Sequence, residues 1–200
     1  HPNKKKNYEK ALEWYQKSAD LGNDDAMYFL GRMYHKGQGQ PNKKKNYEKA
    51  LEWYQKSANL GNDDAMYYVA WIHYKGYGQP ENKPNYKEAL KWYRKSADLG
   101  DRDAMNQLGW LHQKGYGQPE NKPNYEEALK WYRMAADLGN RSSMFNLGWM
   151  YEKGYNQPDN KANYERALKW YQKSSKSGHK KAKKRIEAIK KIMASKSNTE

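Results

Sequence analysis

Residues 7–22 read "NYEKALEWYQKSADLG", and near-copies return at 46–61 ("NYEKALEWYQKSANLG"), 85–100 ("NYKEALKWYRKSADLG"), 124–139 ("NYEEALKWYRMAADLG") and 163–178 ("NYERALKWYQKSSKSG"). Tyr8, Tyr47, Tyr86, Tyr125 and Tyr164 are each 39 residues apart, with no insertion or deletion between them. A fixed period of this length marks a stacked array, because a hairpin of this size cannot bury its apolar face alone and needs a neighbour on which to lay it. The repetition supplies the neighbours.

Ala11, Leu12, Tyr15 and Ala19 recur at helical spacing with Trp14 beside them, so the quoted stretch predicts an amphipathic helix. Asn7, Asn46, Asn85, Asn124 and Asn163 precede it, and an Asn side chain is a favoured acceptor for an unpaired amide of the first turn. Gly22, Gly61, Gly100, Gly139 and Gly178 follow as left-handed stops. A second helix is expected from about Asp24 to Lys36, with Ala26, Met27, Leu30, Met33 and Tyr34 on its apolar face and Gly31 admitting a close neighbour. It should end at Gly37, before a loop of the kind "GYGQPENKPN". Each repeat is therefore a helical hairpin.

Only 36% of residues are hydrophobic and Phe occurs twice, against 19 Tyr and 8 Trp, so the core must be built from amphipathic aromatics and small side chains. The absence of Cys excludes disulfides and thiolate chemistry. No run of about 18 apolar residues occurs, so no membrane-spanning helix is expected. His1-Pro2 aligns with Gln40-Pro41 inside a repeat, and the chain is expected to be cut from a longer protein. The net charge of +15 is unevenly placed: residues 164–200 hold twelve Lys or Arg against three Glu.

After Gly178 the pattern changes. Ala182 and Ile186 keep the registers of Ala26 and Leu30, but Lys183, Glu187 and Lys190 replace the Met, Gly and Tyr that face the next repeat. A polar outer face identifies a terminal capping helix. The expected organisation is one helical-repeat body over 1–194, with units starting near 8, 47, 86, 125 and 164, a cap at about 179–194, and a tail at 195–200.

The pattern "A-x-x-x-L-G-x-x-Y-x-x-G-x-G" followed by "A-L-x-W-Y-x-K-S-A-x-x-G" resembles the Sel-one-like repeat family. Ala26, Leu30, Gly31, Tyr34, Gly37, Gly39, Ala50, Leu51, Trp53, Tyr54, Ala58 and Gly61 carry one full unit of it. Departures are modest: His73 and His112 stand where the family has Tyr, Val69-Ala70 replaces Leu-Gly, Ser143 replaces Ala, and Asn156 replaces the second Gly. The resemblance implies an all-α fold, a right-handed superhelical solenoid of antiparallel helix pairs. It also implies an adaptor or scaffold for other proteins, in bacteria often secreted, periplasmic or host-interacting.

Catalysis needs unlike polar groups brought together, whereas a strict repeat spaces identical groups along an axis. No HExxH or other close His pair occurs; His73 and His112 read as partly buried substitutes for a core Tyr, and neither a metal nor a cofactor is expected. Asp24-Asp25 and Asp63-Asp64 fall at helix starts, where carboxylates answer the helix dipole. Gly37-x-Gly39 follows a helix and not a strand, so it reads as a turn and not a phosphate loop.

The candidate binding positions are those that vary on the constant framework. With Leu30 as the core direction and about 100° per residue, positions 28, 32 and 35 point to the other side. Successive copies place there Tyr28, Arg32 and His35; Tyr67, Trp71 and Tyr74; Asn106, Trp110 and Gln113; and Phe145, Trp149 and Glu152. This row is expected to be exposed on a concave wall and to grip a protein or peptide, as aromatic residues dominate interface hot spots. The competing reading is that Trp71, Trp110 and Trp149 fill gaps between neighbouring helices. Tyr77, Tyr116 and Tyr155 are expected to wedge between units. A second function class is nucleic acid or an anionic surface binding the basic C-terminal cap, although aromatic residues are not interleaved with Lys on that helix as single-strand binding requires.

Overall fold

The computed structural model describes residues 2–197, and among these the regular structure is entirely helical. Two compact units, residues 1–100 and 101–200, are each built from hairpins of the repeat. The first holds α1 (Pro2–Asp20), α2 (Asp24–Lys36), α3 (Tyr47–Asn59), α4 (Asp63–Lys75) and α5 (Tyr86–Asp98). The second holds α6 (Arg102–Lys114), α7 (Tyr125–Asp137), α8 (Arg141–Lys153), α9 (Tyr164–Lys176) and α10 (Ala182–Ser197).

The boundaries follow from local chemistry. Asn46, Asn85, Asn124 and Asn163 each accept, through the side chain, the backbone N–H three residues on. Gly22, Gly61, Gly100, Gly139 and Gly178 adopt φ between 82° and 105°, and Gly37 ends α2 at φ 67°. Asn7 departs from expectation: α1 begins at Pro2 and runs straight through it. In the later copies the capping Asn is also held from outside, its own N–H donating to the last turn of the preceding helix, as from Asn46 to the Tyr34 carbonyl at 2.9 Å and from Asn163 to that of Tyr151 at 2.8 Å.

The core is a series of buried tyrosines. Tyr54, Tyr93, Tyr132 and Tyr171 are fully buried in α3, α5, α7 and α9. Tyr54, Tyr132 and Tyr171 lie directly on Gly31, Gly109 and Gly148, where an added Cβ would stand 2.6–2.7 Å from the ring. Glycine at this register lets an aromatic ring pack on bare backbone. Ser57 and Ser174, also buried, donate from Oγ to the carbonyls of Asp24 and Arg141 at 2.8 Å, which satisfies hydroxyls that burial would otherwise penalise.

In the cap, Ile189 is fully buried while Lys183, Glu187 and Lys190 are exposed. α10 begins three residues after the expected start of the cap and extends to Ser197; residues 198–200 of the expected tail lie outside the described residues.

Candidate functional site

The twelve candidate residues lie on α2, α4, α6 and α8, the second helix of each hairpin. None belongs to the exposed class: Tyr28 is buried and the other eleven are half-buried. The expectation of an exposed aromatic row is therefore corrected. Turning 100° per residue from Leu30 ignores that the following hairpin and the long loop also press on these helices.

In the first unit, the ring of Tyr28 lies 5.9 Å from those of Tyr54 and Tyr68. Burial, with the Asp64 carboxylate and Tyr68 adding, pushes the Tyr28 hydroxyl up to about 12. The Arg32 guanidinium lies 5.5 Å over that ring and 5.7 Å over Phe29. His35 stacks on Trp71 at 4.8 Å, with Nδ1 at 3.4 Å from the Tyr54 hydroxyl. Burial, and then the cations Lys45, Lys36 and Arg32, hold its imidazole below the usual histidine value. Trp71 in turn meets the edge of Tyr77, which stacks on Tyr47 at 4.6 Å. Tyr67 packs against Tyr93 at 5.4 Å and Tyr74 against Tyr86 at 6.0 Å.

In the second unit, Asn106 Oδ1 accepts from Ser143 Oγ at 2.9 Å and from Asn146 Nδ2 at 3.2 Å. Trp110 meets Tyr116 at 5.4 Å, and Trp149 meets Tyr155 at 5.2 Å, which stacks on Tyr125 at 4.2 Å. Phe145 lies between Tyr171 and the stacked ring of His179. Trp149 also packs against two core clusters, one around Tyr132 and Leu147 and one around Tyr171 and Ile189. Each tryptophan thus fills a gap and still keeps part of its ring accessible.

The third position of three of the four sets does something the sequence reading missed. Tyr132 donates its hydroxyl to Gln113 Oε1 at 2.7 Å, Tyr171 donates to Glu152 Oε2 at 2.7 Å, and Tyr54 pairs with His35. Glu152, with a side chain only 8% exposed, also forms an ion pair with Arg185 of the cap, whose Nε donates at 3.1 Å. The signal was present: a Tyr hydroxyl buried among apolar groups needs a partner, and the variable column His35, Gln113 and Glu152 lies a constant 19 residues upstream of Tyr54, Tyr132 and Tyr171.

His73 is buried, as a substitute for a core aromatic should be, and its imidazole is held below the usual value by burial, with Glu88 opposing. No group of three or more metal-ligating side chains occurs among the described residues, and none of their helices is long and apolar enough to cross a membrane.

With this geometry in hand, the chain can be set beside known proteins. The Sel1 repeat family model matches residues 3–23, 24–62, 63–101, 102–140 and 141–179. Its units start at the second helix of one hairpin and end after the first helix of the next, the pairing that seats Tyr54 on Gly31. A Sel1 repeat protein from Oxalobacter formigenes superposes with a TM-score of 0.76 at 30% identity, over 90% of this chain and 69% of that one. A protective antigen present in uropathogenic Escherichia coli superposes with a TM-score of 0.78 at 30% identity, over 89% of this chain but only 36% of that one. An immunity protein from Pseudomonas aeruginosa is 27% identical with a TM-score of 0.52, over 86% of this chain and 59% of that one. No curated protein matches in sequence. Five tandem matches on helices of the expected bounds leave one conclusion: the chain belongs to the Sel1 repeat family, whose all-helical fold generally serves as a protein-interaction scaffold.

Proposed function

We propose that this chain is a non-enzymatic scaffold that holds a protein or peptide partner on the second helices of its hairpins. The observation that carries this reading is a fixed frame with a variable register. Capping Asn, stopping Gly and buried Tyr recur unchanged, while beside a column that is Arg32 in the first copy and Trp71, Trp110 and Trp149 in the next three, the flanking positions change chemistry: Tyr28, Tyr67, Asn106 and Phe145 on one side, His35, Tyr74, Gln113 and Glu152 on the other. Within each unit the half-buried Trp of this column lies beside loop tyrosines, as in the cluster Tyr125, Trp149 and Tyr155. Rigid aromatic edges of this kind bind at low entropic cost. The likeness to an immunity protein supports a protein as the partner. The chain accounts for 36% to 69% of the first two similar structures, so the partner and role of the whole protein belong to this proposal.

The test is a capture from lysate with native bait and a Trp110→Ala/Trp149→Ala bait. Trp149 packs against the core, so far-UV circular dichroism and melting must accompany it. A discrete protein kept by the native bait and lost by a variant of equal helicity supports the reading; equal retention removes these tryptophans from it.

A further inference from the structure

Every first helix of the repeat carries a Trp at its seventh position from the opening Tyr, and four side chains on the same face surround it at positions −4, −1, +3 and +6. Around Trp14 these are Lys10, Glu13, Lys17 and Asp20, with no net charge. Around Trp53 they are Lys49, Glu52, Lys56 and Asn59. Around Trp92 they are Glu88, Lys91, Lys95 and Asp98, and around Trp131 they are Glu127, Lys130, Met134 and Asp137. These sets carry between −1 and +1, and they pair internally: Lys56 with Glu52 at 2.9 Å, Lys130 with Glu127 at 3.6 Å, Lys91 with Glu88 at 3.8 Å.

In α9 the set becomes Arg166, Lys169, Lys173 and Lys176, four cations and no acid. All four are exposed, and none forms an ion pair among the described residues. Together with Gln172 they line a shallow pocket whose floor is the half-buried Trp170, with the Lys173 ammonium 4.5 Å from the ring centroid. At 1.5 Å rise per residue the cationic row is about 15 Å long.

We propose that this pocket on α9 binds single-stranded nucleic acid, the row of cations following the phosphates and Trp170 offering its ring to a base. Unpaired cations beside an aromatic platform are the combination single-strand binders use. A protein partner fits less well, because Lys is depleted from the cores of protein interfaces. A bilayer fits less well because Trp170 is the only large apolar group of the pocket and an interfacial helix needs a broad apolar face to insert. The site is carried by α9 and not by α6 or α8, so it stands or falls independently of the protein-partner reading.

The test is fluorescence anisotropy of a labelled oligothymidylate of about twelve nucleotides, within the site sizes of single-strand binders, with Arg166→Glu/Lys176→Asp as the variant. Glu127 and Asp137 already occupy those places in α7, so the variant introduces residues this helix type tolerates, and circular dichroism checks it. The expected result is binding at low salt with a slope of log K against log salt of about −3, from roughly 0.7 per phosphate over four contacts. The variant should bind roughly tenfold or more weakly, with about half that slope. Lys183→Glu/Lys184→Glu on α10 should cost clearly less. No binding at about 50 mM salt, an equal or larger loss from the α10 variant, equal competition by polyglutamate, or variant-sensitive binding to phosphatidylserine vesicles in place of the oligonucleotide would each overturn the proposal.

Discussion

The most decisive perturbation is at Glu152. Its carboxylate is nearly buried and accepts from the fully buried Tyr171 hydroxyl on one side and from Arg185 of the cap on the other. Glu152→Ala removes both. A hydrogen bond to a charged group contributes about 1.5–3 kcal/mol, and an ion pair whose cation is 36% exposed adds about 1 kcal/mol at most once solvent screening is allowed for. The expected loss is about 2–4 kcal/mol. Glu152→Gln is the informative control. Gln113 already accepts from Tyr132 in the equivalent place, so this variant keeps the tyrosine bond and loses only the charge, at about 1–2 kcal/mol. For a chain of this size about 2–4 °C of melting temperature corresponds to each kcal/mol. Hydrogen exchange should place the change in α9 and α10, because each repeat leans only on its neighbours. If both variants melt within about 0.5 kcal/mol of the native chain, the network is not structural. If Glu152→Ala abolishes capture of a partner with stability intact, Glu152 belongs to the binding surface after all.

The pH dependence has a definite sign. His35, His73 and His179 are all held below the usual histidine value, mainly by burial. Between about pH 6.5 and their folded values the unfolded chain binds more protons, so stability is complete above about pH 6.5 and falls as the pH drops below it; His35→Gln, with Gln113 as precedent, should flatten urea-derived stability against pH over that range. Gly115→Ala places a Cβ 2.4 Å from the Asn121 carbonyl oxygen at φ 74°, and should cost about 2–5 kcal/mol. Gly139→Ala, at φ 82° with only the end of Arg102 near at 3.5 Å, should cost about 1–2 kcal/mol; equal denaturation midpoints would refute the steric argument. Glu120 adopts φ 57° in its loop, where the equivalent residue of an earlier copy is Asn42, so Glu120→Asn should raise the unfolding free energy from urea titration by up to about 1 kcal/mol; a lower value would show that its ion pair with Lys122 outweighs the backbone.

The helices themselves were legible because their determinants are local. The Asn that caps, the Gly that stops and the 39-residue spacing lie within a few residues of the backbone they control, so α2 through α9 fall where the pattern puts them. Asn7 shows the limit: four identical Asn residues start a helix and donate their N–H to a carbonyl of the helix before, while the first lies inside α1. The candidate site was legible as a column but not as an environment. Periodicity identified positions 28, 32 and 35 and their counterparts, yet burial there depends on the ring of Tyr54, the stacked loop tyrosines and the next hairpin, none of which is local.

The sequence by itself therefore determined the period, the hairpins and the register that varies, since those arise from spacing and from short-range capping. Only the tertiary structure decided which members of that register are committed to packing. Gln113 and Glu152 serve buried tyrosines 19 residues away, and Trp149 is shared by two core clusters. The α9 face with four cations and no acid is, by contrast, legible by comparing equivalent positions of α3, α5, α7 and α9, and the structure adds that the four are exposed around Trp170. The physical reason is that a side chain's solvent exposure and hydrogen-bond partner are properties of what packs against it, and in a repeat fold that is always another copy.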